Sequence, residues 1–371
     1  MDRPRSPCER DGIAMKIVLA CGGSGGHIFP AVSAAEELKE RHPKAEIIYF
    51  CGKKRIEESI FKTLGQERIV RLDRKPLTDF FRAWRVLAAE QPQLVVGFGG
   101  YASVPALAAA KCLGLKTLIH EQNVFPGRAN RLLCRIADGV ALSFEESRGY
   151  LPRFKNARVT GNPIRRMVES ARRKEALDFF SFSGDKKTLL VLGGSQGAES
   201  INSLFLGGLP FLGKDFKERM QALHLCGKMS PTESEARCRE AGFVCRAYSF
   251  FDRMDLAYSA ADFSLGRAGA TFLAEISARQ IPAILVPYPH GDGHQRLNAR
   301  VFSQTHEALV AEQSGLTPEK LAALLQSFLS KNRPADSREV SAETVDNQTS
   351  GARRALACFI EETLAGKTHE C

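Results

Sequence analysis

The stretch LGRAGATFLAEISARQIPAILVPYPHGDGHQRLN, residues 265–298, predicts the fold around it. A strand ends at Leu265, small residues form a turn at 268–271, apolar residues recur at helical spacing, and a buried strand follows at 282–287. A helix that begins beside such a turn directs backbone N–H groups and about half a positive charge at a bound phosphate. Glu275, one turn into this helix, can accept hydrogen bonds from two neighbouring hydroxyls, as on a ribose, and the polar loop 290–295 suits a polyhydroxylated ligand. An ordinary βαβ unit with a polar surface loop explains this stretch equally well.

Two similar glycine-rich turns lie a domain's length apart in the chain. GGSGGH at 22–27 and GGSQGA at 193–198 each follow a predicted strand and precede a predicted helix. Glycines at such turns allow a positive φ and a close approach of the backbone to a ligand. For a chain of 371 residues, two domains are the natural expectation. We therefore predict an α/β fold with two Rossmann-like domains that face each other across a cleft.

The sequence around the first glycine turn argues against a dinucleotide cofactor. Its glycine spacing is not that of the dinucleotide fingerprint, and the next strand, 46–50, is followed by Cys51, Gly52 and Lys53 rather than by an acidic residue. The ten cysteines include no C-x-x-C pair, and the chain has no Asp-x-Asp. We therefore expect no metal site and no cofactor. Scattered cysteines of this kind fit a reducing cytosol.

Composition changes along the chain suggest the domain boundaries. Residues 1–14 are charged and lack an apolar centre, which excludes a signal peptide, so we expect a disordered extension or a true start at Met15. We then expect an N-terminal domain at 15–165, a linker at 166–187 and a C-terminal domain at 188–335. The last segment, 336–371, is expected to be helical, with the option that it packs back on the N-terminal domain.

The net charge of +10 favours an anionic partner: nucleic acid, anionic lipid or the phosphates of a nucleotide sugar. No nucleic-acid-binding module is recognisable, so nucleic acid has little support. The most apolar segment, 104–115, is too short to span a bilayer, which leaves only peripheral membrane contact. A predicted helix either packs on the sheet or inserts into an anionic leaflet with a patch formed by Leu77, Phe80, Phe81, Arg82, Trp84 and Arg85. Arg71, Arg74 and Lys75 add positive charge beside it.

Six ordered sequence blocks identify a family resemblance between about 16 and 298. They are GGSGGHIFPA (22–31), GFGGYASVPA (97–106), HEQNVFPGRAN (120–130), TGNPIR (160–165), GGSQGAESIN (193–202) and the stretch 265–298. With these blocks the chain resembles the MurG family, the bacterial UDP-N-acetylglucosamine transferases that complete lipid II. The resemblance implies the GT-B architecture and inverting transfer of N-acetylglucosamine (GlcNAc) from UDP-GlcNAc. The implied acceptor is the muramyl 4-hydroxyl of an undecaprenyl-diphosphate-linked muramyl-pentapeptide, and the implied location is the cytoplasmic face of the cell membrane, bound peripherally.

The resemblance also implies roles for individual residues. In the C-terminal domain Ser195 would bind the UDP phosphate, Phe251 would meet uracil through its main chain, Glu275 would hold the ribose hydroxyls and Gln295 the sugar. Asn123 and Arg165 would reach the donor from the other domain. The turn expected to line the phosphate and ribose consists of Ala270, Thr271, Phe272, Leu273 and Ala274. The turn expected to face the acceptor diphosphate consists of Ser24, Gly25 and Gly26.

His27 is the candidate general base. It lies at a predicted helix N-terminus, where the helix dipole disfavours an imidazolium and so leaves a proton acceptor available. The alternative is a histidine that only caps the helix or orders the loop. His120 and Glu121 are expected to satisfy each other and to shape their loop rather than to act in catalysis. The departing diphosphate would be stabilised by helix N-termini and Arg165.

Some residues differ from the family pattern, and other functions stay open. His294 stands where the family usually has a glutamine, so the sugar contacts there can differ, and Ser24, Val104 and Ala268 replace commoner residues. The alternatives are another lipid glycosyltransferase, a UDP-GlcNAc epimerase, and a non-catalytic UDP-sugar-binding subunit. A requirement for an acceptor in turnover would distinguish a glycosyltransferase from an epimerase. Donor binding without turnover would indicate the binding subunit.

Overall fold

The computed structural model describes residues 15–63, 68–152, 156–194, 198–290, 292–331 and 342–366. The expected extension at 1–14 lies outside the described residues. The chain divides into two compact units. Unit 1 runs to Arg165 and takes up the chain again from Ser350, and unit 2 runs from Arg166 to Thr349. Among the described helices, none is both long enough and apolar enough to cross a membrane.

Unit 1 is built on a parallel sheet of seven strands in the order β3-β2-β1-β4-β5-β6-β7. Its strands are β1 (Lys16–Ala20), β2 (Glu46–Cys51), β3 (Arg68–Arg71), β4 (Leu94–Gly97), β5 (Lys116–Glu121), β6 (Gly139–Leu142) and β7 (Ala157–Val159). Its helices are α1 (Gly25–Arg41), α2 (Arg55–Thr63), α3 (Pro76–Glu90), α4 (Ser103–Cys112) and α5 (Arg128–Leu133), with a 3₁₀ helix at Glu145–Tyr150. The strand order reverses between β1 and β4, which is where open α/β sheets bind ligands.

Unit 2 repeats this plan on a parallel sheet of six strands in the order β10-β9-β8-β11-β12-β13. Its strands are β8 (Lys187–Leu192), β9 (Met220–Leu225), β10 (Val244–Tyr248), β11 (Phe263–Gly266), β12 (Ala283–Leu285) and β13 (Ala308–Val310). Its helices are α6 (Arg173–Phe180), α7 (Glu199–Gly208), α8 (Lys214–Arg219), α9 (Pro231–Glu240), α10 (Met254–Ala260), α11 (Ala270–Ala278), α12 (His294–Thr305) and α13 (Pro318–Lys331). Short 3₁₀ helices cover Arg166–Glu169 and Leu209–Phe211. The strand order reverses between β8 and β11.

The apolar pattern of the strands explains the layered core of unit 1. Side chains alternate between the two faces of a strand, and both faces of this sheet are covered by helices. Along β1, Ile17 and Leu19 therefore lie in one core cluster, and Val18 and Ala20 lie in the other. All four side chains are fully buried.

The last helix, α14 (Ala342–Ala365), contributes to the core of unit 1. Leu356, Phe359 and Ile360 are buried in the same cluster as Ile17 and Leu19. Glu362 accepts a hydrogen bond from Arg158, the residue before the end of β7, at 2.6 Å. The stretch 166–187, expected as a linker, contains a 3₁₀ helix and α6, and both pack against α10 of unit 2.

Candidate functional site

The first glycine turn is held in place by a buried carboxylate. Oε1 of Glu57 accepts a hydrogen bond from the Gly23 N–H at 2.5 Å, and Oε2 accepts one from the Lys54 N–H at 2.8 Å. Gly23 has φ +92, a conformation that other L-residues rarely adopt. A Cβ on Gly22 would lie 2.6 Å from the same carboxylate. Ser24 is the N-cap of α1, so Ser24, Gly25 and Gly26 form the N-terminus of this helix.

His27 lies in the first turn of α1, at the carboxyl end of β1. Its side chain is half-buried, and its Nδ1 lies 3.1 Å from Oε1 of Gln122, which follows β5. The ring also passes close to the loop after β4, because a Cβ on Gly99 would lie 3.1 Å from His27 Nδ1. The carboxyl ends of β1, β4 and β5 therefore meet at His27, at the reversal of strand order.

His120 and Glu121 have separate partners, so the expectation that they satisfy each other is wrong. Neighbouring residues of a strand point to opposite faces, which separates the two side chains. Nε2 of His120 lies 3.0 Å from the Gly161 carbonyl oxygen, and its Nδ1 lies 2.9 Å from Nε2 of Gln122. The pKa of His120 is lowered to about 4, mainly by burial; the hydrogen bond to the Gly161 carbonyl oxygen opposes this shift, and the nearby His27 adds to it.

Glu121 orders the loop after β5. Its Oε1 accepts hydrogen bonds from the backbone N–H and the side-chain amide of Asn123, at 2.8 and 3.1 Å. Its Oε2 accepts hydrogen bonds from the Gly127 N–H at 3.0 Å and from Asn130 at 2.8 Å. Asn123 is thereby fixed at the carboxyl edge of the sheet. Arg165, at the end of unit 1, is half-buried and places its guanidinium 4.0 Å from the centroid of the Phe29 ring in α1.

In unit 2 the turn after β11 leads directly into α11. Gly269 is the N-cap, so Ala270, Thr271, Phe272, Leu273 and Ala274 form the first turn and a half of this helix. Glu275 is only 5% exposed, and its Oε2 accepts a hydrogen bond from the Tyr258 hydroxyl at 2.6 Å. The carboxylate is therefore already oriented by a side chain of α10. The second glycine turn follows β8, the neighbour of β11, but Ser195 lies outside the described residues.

Two further residues of the predicted donor site lie at the same edge of this sheet. Phe251 follows β10 and packs against Tyr248, with ring centroids 4.8 Å apart. Gln295 accepts a hydrogen bond from the Tyr288 N–H at 2.9 Å. The expectation of a loop over 290–295 is wrong at its end, because α12 begins at His294 with Gly293 as its N-cap at φ +73. Gln295 thus lies on the first turn of a helix.

The exposed face of α3 carries most of the predicted membrane patch. Leu77, Phe81 and Trp84 are 77%, 59% and 41% exposed and recur at the spacing of one helix face. Arg82 and Arg85 are exposed beside them, and with Leu77 and Phe81 they line a groove of about 930 Å³. Phe80 does not belong to this face, because it is half-buried and packs on the core.

Arg71, expected beside the patch, points into the protein. Its Nη1 donates hydrogen bonds to Cys51 Sγ at 3.2 Å and to the Gly52 carbonyl oxygen at 3.1 Å. Its guanidinium lies 5.6 Å from the centroid of the Phe61 ring. The positive charge at this end of α3 therefore comes from other side chains, among them the exposed Arg74 and Lys75.

Three residues that support this geometry have no role that the sequence patterns predict. They are Glu57 beneath the first glycine turn, Gln122 beside His27 and Tyr258 beside Glu275. Gln122 lies within a block that resembles the family, but Glu57 and Tyr258 lie outside all six blocks. Each contact joins residues at least 17 positions apart in the chain, so no local pattern reveals it.

Both units match models of one glycosyltransferase family. Residues 17–142 match the glycosyltransferase family 28 N-terminal domain, and residues 188–354 match its C-terminal domain. Relatives from Desulforamulus reducens and Syntrophus aciditrophicus are each 36% identical to the chain. The matches cover 85% and 90% of this chain and 90% and 95% of the relatives. Both relatives are named UDP-N-acetylglucosamine–N-acetylmuramyl-(pentapeptide) pyrophosphoryl-undecaprenol N-acetylglucosamine transferase.

Solved structures share the fold over nearly the whole chain. MurG of Acinetobacter baumannii has a TM-score of 0.70 at 24% identity and covers 94% of this chain and 100% of its own. A UDP-GlcNAc 2-epimerase of Neisseria meningitidis, solved with UDP-GlcNAc bound, has a TM-score of 0.67 at 12% identity, with coverage of 95% and 100%. The prediction of two parallel-sheet α/β domains, consistent with the GT-B architecture, is confirmed.

Proposed function

The chain belongs to the UDP-N-acetylglucosamine–N-acetylmuramyl-(pentapeptide) pyrophosphoryl-undecaprenol N-acetylglucosamine transferases of glycosyltransferase family 28, and on that premise we propose its reaction. It transfers GlcNAc from UDP-GlcNAc to the undecaprenyl-diphosphate-linked muramyl-pentapeptide, the step from lipid I to lipid II of peptidoglycan synthesis. The observation that carries this conclusion is identity of 36% over 85–90% of the chain to relatives with that name.

The donor, in this proposal, binds at the carboxyl edge of the sheet in unit 2. The first turn of α11 directs its N–H groups at the diphosphate, and Glu275 accepts hydrogen bonds from the ribose hydroxyls. The hydroxyl of Tyr258, 2.6 Å from Glu275, supports this role because it holds the carboxylate in one orientation. Phe251 meets uracil through its main chain and Gln295 contacts the sugar. Ser195 contributes at the phosphate from the second glycine turn.

The acceptor binds at the first glycine turn in the same proposal, with Ser24, Gly25 and Gly26 near its diphosphate. His27 takes the proton of the muramyl 4-hydroxyl as the oxygen of that hydroxyl bonds to C1 of GlcNAc. The bond from C1 to the UDP oxygen breaks, and UDP leaves with the electron pair. Attack from the face opposite the leaving group inverts the anomeric carbon. The family resemblance assigns donor contacts to Asn123 and Arg165, and the proposal includes them.

Release of UDP from UDP-GlcNAc by the purified protein tests the reaction. We expect release only when a short-chain lipid I analogue is present, and a disaccharide product with inverted configuration at C1. His27→Ala should lower kcat by about 10²–10⁴, the usual contribution of a general base. Donor binding with no release of UDP in the presence of the analogue would contradict a transferase and favour a binding subunit.

A UDP-GlcNAc 2-epimerase is the second candidate, because the Neisseria meningitidis enzyme shares the fold at a TM-score of 0.67. At 12% identity this likeness concerns the fold alone. The two reactions differ in their need for an acceptor. An epimerase converts UDP-GlcNAc without one, so isomerisation of the donor in the absence of the lipid I analogue would favour it.

The exposed face of α3 docks on the cytoplasmic surface of the cell membrane in this proposal. Three large apolar side chains with two adjacent arginines suit reversible insertion into an anionic leaflet. The triple variant Leu77→Ser, Phe81→Ser, Trp84→Ser should lose vesicle binding, because burial of each side chain contributes up to about 1.5–3 kcal/mol. Phe211→Ser, at a residue of unit 2 that is 51% exposed, is the control. Equal binding of the triple variant and the wild type to vesicles rich in phosphatidylglycerol would contradict this role of α3.

A further inference from the structure

A series of hydrogen bonds leads from His27 into the interior of unit 1. Nδ1 of His27 lies 3.1 Å from Oε1 of Gln122, and Nε2 of Gln122 lies 2.9 Å from Nδ1 of His120. Nε2 of His120 lies 3.0 Å from the Gly161 carbonyl oxygen. His120 is fully buried and Gln122 is 2% exposed, whereas His27 is half-buried. Of the three side chains in the series, only that of His27 is accessible to a substrate.

The hydrogen bond between His120 and the Gly161 carbonyl oxygen determines which atom donates in each of the other hydrogen bonds. A carbonyl oxygen can only accept, so Nε2 of His120 carries a hydrogen and donates it to Gly161. Burial lowers the pKa of His120 to about 4, so its ring is neutral at pH 7 and Nδ1 accepts. The Gln122 amide nitrogen therefore donates to it. The same nitrogen donates to the His120 carbonyl oxygen at 3.0 Å, which orients the carboxamide independently of any ring.

With the amide nitrogen turned inward, Gln122 presents its oxygen to His27. An amide oxygen can only accept, so Nδ1 of His27 carries a hydrogen, and in the neutral ring the lone pair lies on Nε2. We propose that Gln122 and His120 are positioning residues that hold neutral His27 as the Nδ1–H tautomer, with Nε2 as the proton acceptor. This inference rests on the proposed function, in which His27 removes the proton of the acceptor hydroxyl.

A similar series in unit 2 shows the same physical arrangement without an accessible end. The side-chain nitrogen of Asn202 donates to the Cys226 carbonyl oxygen at 2.8 Å, so its Oδ1 faces Nε2 of His224 at 2.9 Å. Nδ1 of His224 lies 2.7 Å from the Ser234 hydroxyl. His224 and Ser234 are fully buried. Ser234→Ala is thus a matched control that removes one buried hydrogen bond to a neutral histidine far along the chain from His27.

The tautomer can be measured directly by NMR of the full-length protein labelled with ¹⁵N at histidine, with spectra recorded at alkaline pH. Comparison with His27→Ala assigns the His27 signals. We expect the Nδ1–H pattern in the wild type and a shift toward Nε2–H, the form that histidine favours in water, in Gln122→Met. An Nε2–H pattern in the wild type, or an unchanged Nδ1–H pattern in Gln122→Met, would overturn the proposal.

Kinetics provide the second test. Gln122→Met should lower kcat of acceptor-dependent UDP release about 10- to 100-fold, by analogy with the groups that orient metal-binding histidines, with KM for UDP-GlcNAc unchanged. Ser234→Ala should keep the wild-type kcat. Full activity of Gln122→Met together with an inactive His27→Ala would refute the positioning role of Gln122 and leave the proposed function intact. Wild-type protein that releases no UDP with the acceptor would instead refute the proposed function, and the NMR spectrum would still decide the tautomer. That wild-type spectrum also suffices if Gln122→Met fails to fold.

Discussion

Acidification from pH 7 to pH 5 should destabilise both units, because each contains a buried histidine with a strongly lowered pKa. Burial lowers the pKa of His120 in unit 1 and of His224 in unit 2 from 6.5 to about 4. In the unfolded chain the pKa of each imidazole ring returns to its ordinary value of 6.5. Below pH 6.5 the unfolded state therefore takes up protons that the folded state cannot bind until the pH approaches 4.

The size of the effect follows from the proton difference. The free energy of unfolding falls by up to about 1.4 kcal/mol per pH unit for each histidine within this window. Between pH 6.5 and pH 5 the loss is about 2 kcal/mol in each unit, and it approaches about 3 kcal/mol near pH 4. The stabilisation is fully present above the unfolded pKa and is lost as the pH falls toward the folded pKa. His306 adds to the loss in unit 2, because burial lowers its pKa as well.

Urea unfolding at a series of pH values tests this prediction. The chain has one tryptophan, Trp84 in unit 1, so its fluorescence reports unit 1 while circular dichroism reports both units. In His224→Gln the unit 2 transition should lose most of its pH dependence, and the fluorescence transition should keep the wild-type dependence. An unfolding free energy that is constant between pH 7 and pH 5, or a variant with the wild-type slope in unit 2, would refute the reasoning.

Three other substitutions test contacts described above. Phe359→Ala should destabilise unit 1 by about 3–5 kcal/mol, because removal of a side chain that is 2% exposed leaves a cavity in the core. The tryptophan transition measures this loss, and Phe81→Ala, at a phenylalanine of the same unit that is 59% exposed, is the control. Tyr258→Phe removes a hydrogen bond to a buried carboxylate, worth about 1.5–3 kcal/mol, so KM for UDP-GlcNAc should rise roughly 10-fold or more while the acceptor KM stays constant. Glu57→Gln replaces one carboxylate oxygen beneath the first glycine turn by an NH₂ group, which cannot accept a hydrogen bond. The KM for the lipid I analogue should therefore rise and the KM for UDP-GlcNAc should not. The opposite result would contradict the placement of the lipid-linked substrate at this turn.

The elements that the sequence predicts well are those with continuous apolar runs. The strand predicted at 46–50 is observed at Glu46–Cys51, and the helix predicted after the first glycine turn is observed at Gly25–Arg41. Buried strands of a parallel sheet are apolar on both faces, so their signal is strong and local. The loop predicted at 290–295 is wrong at its end, because Gly293 at φ +73 is the N-cap of a helix whose first turn is polar. Polar residues at a helix start look like a loop in the sequence.

The site was less predictable, because its geometry depends on distant contacts. The sequence suggested His120 and Glu121 as a pair, since they are adjacent, yet the strand sends them to opposite sides and His120 meets Gly161 instead. Arg71 was expected at the surface, and only the structure shows that Cys51 and Gly52 hold it inside. Phe80 and Phe81 are adjacent phenylalanines, but successive residues of a helix are rotated by about 100°. Phe80 therefore packs on the core, whereas Phe81 is exposed to solvent.

The return of α14 to unit 1 has a consequence for synthesis on the ribosome. The sheet of unit 1 is complete once Val159 has been made, but Leu356, Phe359 and Ile360 enter its core much later. Since translation adds about 5–20 residues per second, this core has a hydrophobic gap for roughly 10–40 s after its last strand exists. Unit 2, from Arg166 to Thr349, is synthesised entirely within that interval. The first unit to begin synthesis is therefore the last to be completed, and a premature stop even near residue 355 removes the part of its core that Leu356, Phe359 and Ile360 supply.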